Sequence, residues 1–181
     1  MCIRDSLLTG CKISHTKKDN EKPKIVFFAY TLHDTFVKSL EKVVQKASAD
    51  RSEVIIEDAF NNEELQKSQI TDLSNQEIKS VIVNVVDVSE GANIVNILKQ
   101  KNIPVVFINR EPEQSVISSW NQAYYVGTHA VQSGHMSVEI LLDYFNKNKN
   151  ADHNRDNMIQ YVVLVGELEN QDAIYRTQGY K

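Results

Sequence analysis

Residues 103–112, which read IPVVFINREP, decide the fold of this chain. The apolar run 105–108 follows a proline and is succeeded by polar residues, as is typical of a strand buried on both faces of a parallel sheet. The run ends at Asn109. Because open α/β sheets bind their ligands at the carboxyl ends of their strands, we expect a binding site near Asn109.

Patterns typical of strands and helices alternate on both sides of this stretch. Further strands are predicted at residues 24–30, 54–56, 81–86, 124–127 and 161–165, and helices at 36–50, 63–73, 91–101 and 134–145, with another helix starting near residue 172. Residues 110–122 are predicted to form a loop. Alternation with short, right-handed connections predicts an α/β fold with a doubly wound parallel sheet.

The predicted elements divide the chain into two lobes. Residues 23–128 carry enough strands and helices for a complete first lobe. Residues 129–181 supply only one strand with a helix on each side, and such a unit cannot bury both faces of its strand. We therefore expect 129–181 to be the start of a truncated second lobe.

Composition excludes several classes of function. The 181 residues include 24 acidic and 20 basic side chains, a net charge of -4, which disfavours a nucleic-acid surface or an anionic membrane surface. The two cysteines, Cys2 and Cys11, lie near the start, so no disulfide framework and no thiol catalysis are expected in the folded part. The histidines lack metal-binding spacing, and neither a GxSxG nor a GxxxxGK motif occurs, so no enzymatic activity is expected.

The first residues resemble non-domain segments. Residues 1–6 (MCIRDS) resemble the translated end of a sequencing adapter and are excluded from the fold. Residues 7–11 (LLTGC) resemble a bacterial lipoprotein cleavage box, in which Cys11 would receive the lipid, although a chance apolar pentapeptide is the alternative. The lysine-rich remainder up to residue 22 fits a solvated tether.

Polar side chains follow three of the predicted strands. Carboxylates and amides pair with vicinal hydroxyls, a guanidinium offers a planar fork of donors, and an aromatic ring covers the apolar face of a sugar. The candidate residues for a neutral polyol are Asp34, Phe36, Asn109, Asn170, Asp172 and Arg176. The simpler alternative is that Asp34 and Asp172 are helix N-caps, and that Asp172 and Arg176 form only a helix-surface ion pair.

A second set of oxygen donors occupies alternate positions of one loop. These are Asp152, Asn154, Asp156, Met158 through its carbonyl, and Gln160, a spacing that suits a calcium loop. The loop has Asn157 where glycine is usual and Val163 where a bidentate glutamate is usual. From the spacing alone, a solvated polar loop is the simpler interpretation.

Five ordered motifs together resemble a known family. They are LHDTF at 32–36, IPVVFINREP at 103–112, AYYVGT at 123–128 followed by Ser133-Gly134, DHNRDNMIQ at 152–160 and VGELENQDAIYRT at 165–177. Over residues 24–177 the chain resembles the type I periplasmic binding proteins of bacterial sugar importers, especially those that bind galactose and glucose.

The resemblance implies an extracytoplasmic, monomeric receptor whose two lobes close on a monosaccharide. Such a receptor delivers its sugar to the membrane subunits of an ABC importer and in some cases to a chemoreceptor, and it is periplasmic or lipid-anchored. The resemblance implies that Asp34 and Asn109 bind sugar hydroxyls, that Phe36 stacks on the ring, and that Asp172 and Arg176 bind from the second lobe. Asn170 stands where the family has a histidine.

The resemblance also bears on the metal and on the alternatives. It implies that the loop 152–160 binds calcium, with the remaining carboxylate supplied by a segment beyond residue 181. A sugar-responsive repressor has an effector domain of the same fold, but it would need a helix-turn-helix ahead of residue 24. A binding protein for another sugar such as ribose, and a flavodoxin-like enzyme, are further alternatives.

Overall fold

The structure is a computed structural model that describes residues 22–75, 77–166, 168 and 170–180. The predicted lipidation site at Cys11, the adapter-like residues and almost all of the tether lie outside the described residues. The strands are β1 (Lys24–Ala29), β2 (Glu53–Asp58), β3 (Ile78–Val83), β4 (Val105–Ile108) and β5 (Ala123–Val126). The α-helices are α1 (Thr35–Ser48), α2 (Glu63–Thr71), α3 (Gly91–Gln100), α4 (Gln114–Ser118), α5 (Ala130–Lys147) and α6 (Gln171–Gln178).

The five strands form one parallel sheet in the order β2-β1-β3-β4-β5. The chain therefore builds outward from β1 to β2, crosses over, and continues from β3 to β5 on the other side. This is the doubly wound α/β fold that the alternation of patterns predicted. The reversal of strand order between β1 and β3 opens a crevice at the carboxyl ends of these strands.

Apolar side chains of β1 alternate between two cores on opposite faces of the sheet. Phe28 belongs to the larger core, which α2 and α3 cover with Ile70 and Leu98. Phe27 faces the other way and packs with Val37 of α1. Both phenylalanine side chains are fully buried. The period of two along a strand explains why consecutive apolar residues serve different layers.

The predicted sixth strand at residues 161–165 is wrong. A strand is defined by hydrogen bonds to a neighbour, and within the described residues this segment has no strand partner. Val162 and Leu164 are 86% and 93% exposed. The sequence pattern of a buried strand is present, but the elements that would bury it are not among those described.

Two further predictions about elements need correction. β3 begins at Ile78, three residues earlier than predicted, and it ends at Val83. Residues 84–86 leave the strand because the side chain of Gln66 occupies their backbone groups: it donates to Asn84 O and accepts from Val86 N. The predicted loop 110–122 contains the short helix α4.

Helix α5 approaches the C-terminal end of α6 at two glycines, one within α5 and one directly after α6. A Cβ atom on Gly134 would lie 2.2 Å from the backbone O of Arg176, and one on Gly179 would lie 2.3 Å from the backbone O of Val131. Only residues without a side chain allow this approach, so Gly134 and Gly179 fix the position of α6. Among the described helices, none combines the length and apolar character needed to cross a membrane.

We expect Phe107→Ala to lower the free energy of unfolding by about 3–5 kcal/mol, because a fully buried ring leaves a cavity. Phe36→Ala is the matched control, since Phe36 is 56% exposed and its loss should change stability by no more than about 0.5 kcal/mol. Urea unfolding followed by circular dichroism measures both. Equal losses in the two variants would contradict the assignment of Phe107 to the core.

Candidate functional site

A cleft of about 1020 Å³ lies at the carboxyl ends of the sheet strands and faces the start of α6. All six residues predicted from the sequence to bind a polyol line it. They are Asp34, Phe36, Asn109, Asn170, Asp172 and Arg176. Part of the wall is apolar: Ile82, Val106 and Val126 of the sheet also line the cleft. The structure thus brings side chains from both predicted lobes to one space.

Asp34 is the N-cap of α1, as the alternative interpretation predicted. Its Oδ1 accepts hydrogen bonds from the backbone N–H groups of Phe36 at 2.7 Å and Val37 at 3.2 Å. Its Oδ2 accepts a hydrogen bond from the Tyr30 hydroxyl at 2.6 Å. The hydrogen bond from the Tyr30 hydroxyl is the main cause that holds the pKa of Asp34 below its usual range. Partial burial opposes this effect, whereas the two backbone N–H groups and the charge of Arg110 add to it. The carboxylate is therefore ionised at neutral pH.

Asn109 ends β4 in the left-handed backbone region, with φ of 65°. Asparagine enters this region more readily than most residues. Its carbonyl accepts a hydrogen bond from the Tyr125 hydroxyl at 3.1 Å. Burial, followed by the nearby charges of Glu111 and Asp172, raises the pKa of Tyr125 to about 12, so the hydroxyl stays a donor. Within the described residues, the side-chain amide of Asn109 has no hydrogen-bond partner and is available to a ligand.

The start of α6 is capped by Asn170 and not, as predicted, by Asp172. Asn170 Oδ1 accepts hydrogen bonds from the backbone N–H groups of Asp172 at 3.0 Å and Ala173 at 3.2 Å. Asparagine and aspartate are equally good caps, so composition did not distinguish two candidates two positions apart. Freed from capping, the Asp172 carboxylate lies 3.6 Å from Arg176 Nη2, as the predicted i,i+4 ion pair.

One direct contact joins α6 to the loop after β4. The side chain of Gln171 accepts a hydrogen bond from Glu111 N at 3.0 Å and donates one to Glu111 O at 3.1 Å. Both backbone polar groups of Glu111 are thereby satisfied by a single amide. This contact sets the three residues 109–111 opposite the three residues 170–172.

The predicted metal-binding loop folds around its own polar side chains. Asp156 Oδ2 accepts hydrogen bonds from Asn154 Nδ2 at 2.9 Å and Gln160 Nε2 at 2.7 Å, and Asp156 Oδ1 accepts from Met158 N at 2.8 Å. The hydrogen bond from Met158 N is the main cause that lowers the pKa of Asp156. Asp152 accepts from the backbone of Arg155 and Asn157, both of which have positive φ.

The donor set of this loop fits a hard cation. It combines two carboxylates, Asp152 and Asp156, with amide oxygens of Asn154 and Gln160, and oxygen donors of this kind are those that calcium prefers. The side chains of Asn154, Asp156 and Gln160 already lie within hydrogen-bond distance of one another. Within the described residues, no group of three or more histidine, cysteine, aspartate or glutamate side chains has a metal-binding arrangement.

Three residues that shape the cleft were not predicted as site residues from the sequence. Tyr30 was predicted only as the last residue of a strand, and its hydroxyl reaches Asp34 across a turn. Gln171 is of a residue type that is ordinary on the surface of a helix, so its type does not distinguish it as a site residue. Arg110 follows Asn109 directly in the sequence, but nothing in the spacing indicates that its Cζ lies 4.0 Å from the centroid of the Tyr30 ring.

Comparison with known sequences identifies the family. A profile described as "Periplasmic binding protein domain" matches residues 25–181. The chain belongs to the periplasmic binding protein family.

Two characterised relatives of this periplasmic binding protein differ in the sugar that their names specify. The D-galactose/methyl-galactoside binding periplasmic protein MglB of Haemophilus influenzae is 32% identical over 151 residues, which are 82% of this chain and 46% of that protein. The ribose import binding protein RbsB of Bacillus subtilis is 30% identical over 149 residues, which are 78% of this chain and 47% of that protein. The chain spans about half the length of these relatives.

The fold comparison agrees. An ABC transporter solute binding protein of Bacillus halodurans, solved with bound myo-inositol, superposes with a TM-score of 0.67 at 26% identity. The match covers 90% of this chain and 52% of the other. The prediction of a type I periplasmic-binding-protein fold is confirmed, whereas the role of each cleft residue stays a prediction.

We expect Asp34→Asn to weaken the acid sensitivity of folding. The pKa of Asp34 is lower in the folded chain than its ordinary value of 3.8, so its ionised form stabilises the fold above that value. This stabilisation is lost as the pH falls through the folded pKa. Asparagine retains the cap but does not titrate. The free energy of unfolding, measured between pH 7 and about pH 2.5, should therefore fall less in the variant, and parallel curves would contradict the contacts of Asp34.

Proposed function

We propose that this chain is part of an extracytoplasmic receptor that binds a monosaccharide of the galactose or glucose type and delivers it to an ABC importer. The observation that carries the proposal is the cleft itself. Asp34 and Asn109 approach it from the sheet, and Asp172 and Arg176 approach it from α6. The receptor catalyses no reaction, and its work is to close around the ligand.

The charges around the cleft favour an uncharged ligand. Asp34 is compensated by the Tyr30 hydroxyl and by Arg110, and Asp172 is compensated by Arg176. A charged ligand would compete with these internal partners. A polyol instead satisfies the remaining acceptor and donor capacity through its hydroxyl groups, and no ionised group is left without a partner.

The exposed ring of Phe36 supports a sugar in particular. An aromatic side chain that is 56% exposed in a cleft leaves apolar area in water, and covering that area is favourable. The face of a pyranose ring carries C–H groups that pack on such a ring. Inorganic anions and amino-acid carboxylates offer no matching apolar face.

The proposal of galactose or glucose is supported by the five motifs and by the relative named for galactose. The relative named for ribose and the structure with myo-inositol support the wider class of neutral polyols. Hydrogen bonds to charged groups contribute about 1.5–3 kcal/mol each. A few of them approach the roughly -8 kcal/mol that micromolar binding requires.

The remaining parts of the proposal concern the cell. The receptor is monomeric and works outside the cytoplasmic membrane, where Cys11 is a candidate lipid anchor. Its partners are the importer's membrane subunits and, for chemotaxis, a chemoreceptor. Membership of the periplasmic binding protein family supports the location.

Calcium is proposed as a structural ion of loop 152–160. Asp152, Asn154, Asp156, the carbonyl of Met158 and Gln160 would hold it, together with a carboxylate from another segment. A bound dication would compensate the two carboxylates and would tie the ends of the loop together. This part of the proposal is independent of the sugar.

Sugar binding is tested on the polypeptide encoded by the whole gene, with calorimetry and thermal shift against galactose, glucose, ribose and myo-inositol. We expect binding of galactose or glucose, and we expect Asp172→Ala to weaken it by about 10- to 100-fold, the cost of one hydrogen bond to a charged group. Asp143→Ala is the matched control, because Asp143 forms an i,i+4 pair with Lys147 at 2.7 Å on the exposed surface of α5. Absence of binding to all four compounds, or equal losses in both variants, would refute the sugar site.

Calcium binding is tested with terbium, whose luminescence is excited through a nearby tyrosine. Tyr161 follows the last loop donor, Gln160, directly in sequence. We expect terbium luminescence that calcium displaces, and we expect its loss in Asp156→Asn. The control is Asp87→Asn, which alters a carboxylate that caps a turn elsewhere by accepting from Ser89 N. Luminescence that persists unchanged in Asp156→Asn would contradict the metal loop.

A further inference from the structure

Arg110 directs its guanidinium toward protein groups. Nη1 donates to Val85 O at 3.3 Å and also to Val86 O. The same guanidinium lies over the ring of Tyr30, with Cζ 4.0 Å from the ring centroid. Arg110 therefore joins the end of β4 to the segment after β3 and to the residue that follows β1.

Tyr30 continues this series of contacts to the cleft. Its ring is held under the guanidinium, and its hydroxyl donates to Asp34 Oδ2 at 2.6 Å. Asp34 Oδ1 is already oriented by the two backbone N–H groups of α1. The carboxylate is thus fixed at both oxygens, on one side by the helix and on the other by Tyr30.

We propose that Arg110 is a positioning residue of the binding site, which holds Tyr30 and through it sets the orientation of the Asp34 carboxylate. The proposal rests on the proposed sugar-binding function. It adds that two side chains, Arg110 and Tyr30, determine the direction from which the Asp34 carboxylate accepts a hydrogen bond from a sugar hydroxyl.

The geometry favours arginine for this role. A planar guanidinium stacks on an aromatic face and donates within its own plane at the same time, whereas an ammonium group does not combine these contacts in a fixed geometry. Arg110 makes both kinds of contact: Nη1 donates to the carbonyls of Val85 and Val86, and Cζ lies 4.0 Å from the centroid of the Tyr30 ring. Both surfaces of contact are needed to keep the tyrosine hydroxyl on Asp34.

The carbonyls that accept from Arg110 are themselves fixed. Gln66 is 3% exposed, and its side chain donates to Asn84 O at 3.0 Å and accepts from Val86 N at 2.9 Å. A buried amide with both groups satisfied holds the segment 84–86 rigidly. Arg110 therefore binds to an anchored segment, and its own position follows from α2.

The ionisation of Asp34 reports on this arrangement, because the Tyr30 hydrogen bond is the main cause that lowers its pKa. The titratable and charged groups that line the cleft with Asp34 are Tyr30 and Arg110, from the segments after β1 and β4, and Asp172, Arg176 and Tyr180, from α6 and the residues after it. The groups on α6 are unchanged in the variants below. A change in the Asp34 titration is therefore attributable to the altered residue.

The first experiment needs no sugar. The carboxyl carbon of Asp34 is titrated by NMR in the 181-residue chain for the parent sequence and for Arg110→Met, Tyr30→Phe and the double variant. We expect the pKa of Asp34 to rise in both single variants, with most of the effect of Arg110→Met absent when Tyr30 is already phenylalanine. Arg51→Met, which alters an exposed arginine after α1, is the control and should leave the titration unchanged.

An unchanged titration in Arg110→Met, or effects of the two variants that add in full, would overturn the proposal. Tyr30→Phe keeps the ring and removes only the hydroxyl. If Arg110→Met fails to fold, Arg110→Lys takes its place, because it keeps the positive charge but not the planar guanidinium, and an unchanged pKa of Asp34 in that variant would overturn the proposal.

The second experiment separates the proposal from the proposed function. In the polypeptide encoded by the whole gene, we expect Tyr30→Phe to weaken galactose or glucose binding by on the order of tenfold. This is the lower end of the loss of affinity seen at metal sites when a residue that orients a ligand side chain is replaced. The acid limit of binding should move to higher pH. If the Asp34 titration responds but no sugar binds, the sugar site fails while the positioning role of Arg110 stands. If sugar binds with the parental pH profile in Tyr30→Phe, the positioning role fails while the sugar site stands.

Discussion

The central strand β1 is hydrogen-bonded along both edges, to β2 on one side and to β3 on the other, and this constraint determines where the site lies. A strand with two parallel neighbours cannot shift its register without breaking both ladders and turning its buried side chains over. Its carboxyl end is therefore fixed beside that of β3, with β4 next to it. The turn after β1 places Asp34, and the turn after β4 places Asn109, at the same edge of the sheet.

The sequence predicted an element most accurately where the local pattern of residues alone determines that element. β4 was predicted at its observed residues because an apolar run between Pro104 and Asn109 leaves one solution. The prediction of a strand at residues 161–165 was wrong because a strand needs a hydrogen-bonded neighbour, and a local sequence pattern does not show whether that neighbour is present. Contacts between residues far apart in the chain could not be predicted from the sequence either: the side-chain amide of Gln171 forms hydrogen bonds with the backbone of Glu111, 60 positions away. The pattern identified the cleft residues as a group but not the side chains that orient them.

The cleft uses each polar group twice. Asp34 caps the start of α1 and lines the cleft, Asn170 caps the start of α6 and lines the same cleft, and the Tyr125 hydroxyl donates to the backbone carbonyl of Asn109. Since capping and hydrogen bonding to the backbone fix these side chains before a ligand arrives, less conformational freedom is lost on binding. Under the proposed function, replacing such a residue affects both the stability of the fold and the binding of the ligand.

The segment 161–165 has a physical consequence for the chain by itself. The residues YVVLV combine β-branched and aromatic side chains with no charge, and two of them are almost fully exposed. An uncharged, apolar stretch that pairs with no strand among the described residues is a template for pairing with the same stretch of another molecule, the first step of cross-β assembly. The 181-residue chain is therefore expected to aggregate as its concentration rises. Charged residues placed at either end of the stretch would oppose this aggregation.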